Sequence, residues 1–254
     1  MIQRGTSSFI PDTDQVNALY PSPNINERRG VRAPSMLILH YTGLLTVQRS
    51  LEVLSDPACQ VSCHYVIDEA GAITQMVPEA MRAWHAGVSS WHNETDLNSR
   101  SIGIEIQNLG HAHGYPDFPD VQMASVVRLA QDIIARHDIV PEHVLAHSDI
   151  APQRKDDPGE KFNWQQLWEA GVGHWVAPEP VAATPAGNPT VAEMQSLLQR
   201  YGYACPQHGE LDGETAKVVI AFQRHFRPEK VDGKIDYSTV ATLKRLLSAL
   251  PAHA

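Results

Sequence analysis

HSDIAPQRKDDPG, residues 147–159, sets one histidine, three aspartates, an arginine and a lysine within thirteen positions. Its two prolines and a glycine disfavour a helix interior or a central strand, so these ionisable groups are expected on a stiff loop. MLILH ends an apolar run on His40, and VLAH does the same on His147. In α/β sheets, loops at strand ends present side chains into a shared cleft. SIGIEI alternates, with Ile102, Ile104 and Ile106 on one face and Gly103, Glu105 and Gln107 on the other. A carboxylate in the middle of such a strand must face water, a partner or a site. Two strand-end histidines, an off-face glutamate and an Asp/Lys-rich loop suit a metal hydrolase. Two His and one Asp make a borderline nitrogen/oxygen ligand set for Zn²⁺, with a fourth position open for water. Taken singly, each feature has a plainer account: a structural histidine, a solvated glutamate, a charged surface turn. Asp149 is expected to order the turn through backbone bonds, and spacing alone does not choose between the adjacent Asp156 and Asp157.

These side chains need a scaffold. Met36–Tyr41 is a continuous apolar run and reads as a buried strand. Residues 46–54 have helical spacing, with Thr46 as N-cap. Residues 62–68 and 73–77 read as a hairpin around an EAG turn, and 101–108 as a further strand. Asp120–His137 carries an amphipathic helical stripe through Val121, Ala124, Val127, Leu129, Ile133 and Ile134. Residues 142–147 form a short strand leading into the charged loop, and 162–171 a helix with Gly171 near its C-cap. Strands interleaved with helices imply an α/β fold, a mixed central sheet with helices packed on it. VAPEPVAATPAGNPT, residues 176–190, holds four prolines and reads as an extended linker. Beyond it, three stripes of helical period fit a small all-α three-helix domain. The expected division is therefore 1–176, a Pro/Ala-rich linker over 177–189, and 190–254.

A chain of 254 residues with 43% hydrophobic and 19% charged residues fits a soluble globular protein of one or two domains. Its formal charge of −9 argues against a general nucleic-acid binder and gives no attraction to anionic membranes. No stretch approaches the roughly 18 apolar residues of a spanning helix. The opening MIQRGTSSFIPDTDQVNALY lacks the apolar core of a Sec signal peptide and offers no N-terminal cysteine for lipid attachment. Cys59 and Cys63 precede His64 in ACQVSCHY. Without a second Cys/His pair at metal spacing they read as two small, partly buried thiols, with a local disulfide as the alternative. GHAHG, residues 110–114, reads as a flexible loop.

LILHYTG, SCHYVID, AWHAGVSSW, NSRSIGIEIQN and HSDIAPQRKDDPG, in that order, resemble the zinc-dependent type 2 N-acetylmuramoyl-L-alanine amidases, the AmpD-like group that also includes peptidoglycan recognition proteins. The resemblance spans residues 34–168. Residues 191–247 separately resemble a three-helix peptidoglycan-binding domain, through MQSLLQRYGY, GELDGETAKVVIAFQRHF and VDGKIDYSTVATL. The first resemblance implies a zinc ion held by His40, His147 and Asp157, and so selects Asp157 over Asp156. It implies Glu105 as general base and Lys155 as a cation near the oxyanion. It also places His64, Trp84 and His85 beside the cleft as candidate substrate-binding residues; the plainer account makes His64 a core strand residue and Trp84 a packing anchor. The implied reaction hydrolyses the lactyl amide between N-acetylmuramic acid and L-alanine, with peptidoglycan (sacculus and muropeptides) as partner. A catalytically silent wall-binding module is the alternative, and the full ligand set argues against it. A muramidase would need a carboxylate pair and no metal. The substrate is mostly periplasmic, so the expected location is the periplasm or outside the cell by a non-Sec route, with cytoplasmic recycling of anhydro-muropeptides as the rival.

Overall fold

The protein is described by a computed structural model covering residues 9–181 and 189–250. The linker expected over 177–189 falls mostly outside the described residues. Eight strands and eight α-helices follow one another along the described chain. The first half carries β1 (Ala18–Leu19), β2 (Ile25–Glu27), β3 (Met36–Tyr41), α1 (Val47–Ser55), β4 (Tyr65–Ile67), β5 (Ile73–Gln75), β6 (Met81–Ala83), α2 (Leu97–Arg100) and β7 (Ser101–Ile106). The second carries α3 (Asp120–His137), β8 (Val144–Ala146), α4 (His147–Ile150), α5 (Trp164–Glu169), α6 (Val191–Tyr201), α7 (Gly213–Phe226) and α8 (Tyr237–Ala249). The chain forms two compact units, Met1–Gly87 with Asn98–Ile139, and Val88–Leu97 with Val140–Ala254.

The first unit is built on a mixed sheet, as the interleaved pattern predicts. Its strands lie in the order β1-β5-β4-β7-β3. β7 runs parallel to both β3 and β4, while β4 and β5 form the expected antiparallel hairpin. Being flanked on both sides, β7 buries five of its six residues, and Glu105 alone retains intermediate exposure. Leu37, Ile38, Leu39, Ile102, Ile104 and Ile106 are fully buried. Helix α3 adds Met123, Val126, Leu129, Ala130 and Ile133 to the buried apolar set; of the stripe read from the sequence only Leu129 and Ile133 are buried, and Val121 is exposed. Thr46 caps α1 by accepting from Arg49 N at 3.2 Å, as its position predicts. Leu51 and Leu54 of that helix pack with Cys63, Val66 and Met76. A two-stranded ribbon of β2 and β6, which has no sequence signal at three residues a strand, completes the unit.

In the second unit, β8 is shorter than the strand expected over 142–147. Pro141 opens a 3₁₀ turn over Pro141–His143, so the strand begins at Val144. At its other end Ala146 N–H donates to Asp149 Oδ2 at 2.8 Å, which starts a helical turn one residue early. His147 therefore opens α4 rather than closing the strand. The three C-terminal helices form as expected, each started by an N-cap: Thr190, Asp212 and Asp236 accept from the backbone N–H three residues on. Met194, Leu198, Val218, Phe222, Phe226, Val240 and Leu243 are buried in their core. These helices pack with residues 140–176 in one compact unit: the rings of Trp164 and His225 stack with centroids 3.7 Å apart.

Candidate active site

The register of the central strands positions the first pair of functional side chains. His40 of β3 lies opposite Glu105 of β7 in a parallel ladder. Residues in register on adjacent strands project from the same face, so an imidazole and a carboxylate share one side of the sheet. His40 is buried, and its Nε2 lies 3.0 Å from His85 Nδ1. His85 Nε2 in turn lies 3.2 Å from Ser101 Oγ. Asn98 Oδ1 accepts from the backbone N–H groups of both His85 and Ala86, at 2.9 and 2.7 Å, and holds that turn in place. Gly103 makes room for the ring: a Cβ there would fall 2.5 Å from His85 Cγ. The glycine in SIGIEI thus lets a histidine lie across the strand, on the face that Ser101 and Glu105 share.

The second group comes from the charged loop. His147 Nδ1 lies 3.0 Å from Asp157 Oδ2, and both residues are buried. Ser148 N–H donates to Asp157 O at 2.9 Å, closing the loop on itself. Gly159 follows with φ of +84°, a left-handed conformation that glycine adopts without strain. Arg154, which the sequence did not single out, sets Nη2 3.3 Å from His147 Nε2 and donates from Nε to Val88 O at 2.9 Å. Lys155 is half-buried. The adjacent aspartates point to different surroundings. Asp156 is exposed and pairs with Arg224 at 2.6 Å, whereas Asp157 is buried beside His147.

His40 in the first unit, and His147 and Asp157 in the second, are each buried and each offer one ligand atom. Two imidazole nitrogens and one carboxylate oxygen, all buried, fit a divalent transition-metal ion that keeps an open position for water. Cys63 belongs to the surroundings and not to the donor set. It is fully buried, and burial together with the nearby Glu105 pushes its thiol well above the ordinary range, so it stays protonated and inert. Cys59 is exposed and Cys63 buried, and both thiols are free.

The remaining candidates divide. His85 touches His40 directly. His64 is fully buried: its Nδ1 accepts from Gly103 N–H at 3.0 Å, which leaves the Nε2 proton to donate to Met81 O at 3.1 Å. Burial, with Arg28 alongside, pushes His64 down to about 3, so the ring is neutral. Trp84 is half-buried and donates from Nε1 to Asn26 Oδ1 at 2.9 Å, tying it to the β2–β6 ribbon. Tyr41, His111 and Tyr115 form an aromatic group at GHAHG, with the His111 and Tyr115 rings stacked at 4.2 Å; the expected loop holds a 3₁₀ turn there.

The family model for N-acetylmuramoyl-L-alanine amidase matches residues 30–160. The chain belongs to that family. A second model, for the putative peptidoglycan binding domain, matches residues 187–243. Among curated relatives, the N-acetylmuramoyl-L-alanine amidase AmiD of Escherichia coli is 41% identical, over 84% of this chain and 82% of its own. The solved complex of E. coli AmiD with anhydro-N-acetylmuramic acid-L-Ala-D-γ-Glu-L-Lys superimposes with a TM-score of 0.76 at 39% identity, covering 88% of this amidase and 92% of AmiD. AmpDh3 of Pseudomonas aeruginosa, in complex with anhydromuramic pentapeptide, matches with a TM-score of 0.75 at 33% identity, over 99% of this chain and all (100%) of its own. The mixed sheet with its packed helices is thus the fold of these amidases.

Proposed function

We propose that the chain hydrolyses the lactyl amide between N-acetylmuramic acid and L-alanine, with zinc held by His40, His147 and Asp157. Two pairings support the assignment: Glu105 in register beside His40, and Asp157 beside His147. Zinc bound there would supply a Lewis acid that polarises the amide carbonyl and acidifies water towards a pKa of about 7. Glu105 takes a proton from the attacking water and returns it to the departing amine of L-alanine as the C–N bond breaks. Lys155 places a cation near the oxygen that becomes negative during attack. His85 bears on His40 and sets its ring orientation. His64 and Trp84, with their ring nitrogens engaged inside the fold, support the strands around the site.

The two structural relatives were each solved with an anhydromuramyl peptide, which supports the same substrate class here. The peptidoglycan-binding match argues for action on wall polymer as well, because attachment to the polymer raises the effective substrate concentration. We place the reaction where that polymer lies, in the periplasm. Among the described residues no helix is long and apolar enough to cross a membrane. Glu105→Ala tests the mechanism. It is expected to keep its zinc and to lose about a hundredfold or more in hydrolysis of a soluble muropeptide. Near-parental turnover would remove Glu105 from the mechanism.

A further inference from the structure

Asp149 sits two residues beyond His147 and is fully buried. Its carboxylate is engaged from three directions. Ala146 N–H donates to Oδ2 at 2.8 Å, and this bond starts the turn that carries His147. The other two partners come from the C-terminal helical module. Tyr203 O–H donates to Oδ1 at 2.6 Å, and His225 Nδ1 lies 2.7 Å from Oδ2. Both partners are themselves immobilised. The His225 ring lies between Trp164 and Phe226, stacked at 3.7 and 3.8 Å. Tyr203 packs edge-on against Trp91 at 4.9 Å and bridges to it through the backbone. Burial and the Asp149 carboxylate push the Tyr203 hydroxyl well above its ordinary range, so it remains a donor.

A module whose only role is to attach the enzyme to wall polymer has no need of two buried, directional bonds to a carboxylate in the ligand loop. Surface pairing would suffice, and it is present as well: Arg224 with the exposed Asp156, and Lys217 with Gln153 O. Exposed pairs of that kind contribute little. A buried carboxylate deprived of its donors, by contrast, must shift or admit water, and it carries the backbone of α4 with it. We propose that the helical module is a positioning element of the metal site, with Tyr203 and His225 holding Asp149 and, through it, the backbone of His147. The proposal rests on His147 and Asp157 being ligands. Groups that orient ligands from behind are commonly worth about tenfold to a hundredfold in metal affinity or activity.

The test uses the full chain and a small soluble anhydromuramyl peptide, for which attachment to polymer gives no advantage. Tyr203→Phe removes one hydroxyl and keeps the ring. It is expected to weaken zinc binding about tenfold, read by competition with a chromophoric chelator, and to lower kcat about fivefold or more while KM stays put. His225→Leu is expected to do the same, and His225→Asn to recover most of the loss, since its amide presents an N–H close to the position of Nδ1. Zinc affinity and kcat unchanged in both Tyr203→Phe and His225→Leu, with circular dichroism like the parent's, would overturn the proposal. His147→Ala, run in parallel, separates it from the ligand assignment. Retention of zinc in His147→Ala would bring down the ligand assignment and the positioning role together. Loss of zinc there, with parental zinc binding in Tyr203→Phe and His225→Leu, would bring down the positioning role alone.

Discussion

Asp156 and Asp157 are neighbours in sequence with opposite surroundings. Asp157 is buried against His147, and Asp156 faces solvent with Arg224 as its partner. Asp157→Ala should therefore lose zinc on desalting, and Asp156→Ala should keep it; metal analysis of the two proteins reads the difference directly. Gly103 makes a second prediction at this scale. A methyl group there meets the His85 ring at 2.5 Å, inside a strand paired on both sides. Gly103→Ala is expected to displace His85, destabilise the fold by about 1–3 kcal/mol in denaturant unfolding, and lower kcat. Parental stability and kcat would show that His85 has room to move. The residues proposed as ligands could be picked out in the sequence, because an apolar run ending on His40 and a Pro/Gly-stiffened loop are local patterns. The partners of Asp149 were not. Tyr203 and His225 lie 54 and 76 residues away, and no local rule joins a loop aspartate to a helix that far along the chain.

The elements around the site owe part of their order to a buried charge cluster that contributes no chemistry. Glu79 is buried and accepts from Tyr65 O–H at 2.6 Å and Arg136 Nη2 at 2.9 Å, and lies 2.7 Å from His137 Nε2. It thereby ties β4, which lies beside Glu105's strand, to the end of α3. Burial alone would raise this carboxyl, but the donors from His137, Arg136 and Tyr65 prevail and lower it from an ordinary 4.5 to about 2. A carboxyl lowered by folding stabilises the protein above its unfolded value, and that contribution is lost as pH falls through the folded value. Stability should thus decline from about pH 4.5 towards pH 2. Glu79→Gln should flatten that acid limb and cost roughly 3 kcal/mol at neutral pH, because Arg136 and His137 are left facing a neutral group. Denaturant unfolding at pH 7 and pH 3 checks both, and parallel losses in parent and variant would exclude Glu79 as the source. Long periodic elements such as α3 and α6–α8 were plain in the sequence, since hydrophobic spacing alone reports them. The two- and three-residue strands β1, β2 and β6 were not, because pairing partners and not periodicity create them.

For the molecule as a whole, the amidase family match over residues 30–160 is followed by the peptidoglycan-binding match over residues 187–243. Polymer binding would bring substrate to the site, while Tyr203 and His225 would make the binding module part of the site's own support. The identity of the bond cut decides between this amidase chemistry and other wall chemistry. Mass spectrometry of purified sacculi digested with the zinc-loaded protein tests it most directly. The expected products are stem peptides with a free L-alanine amino terminus, together with glycan strands bearing bare lactyl groups. Their release should stop with a chelator and return with added zinc. Products in which the peptide remains joined to muramic acid, or release indifferent to the chelator, would contradict it.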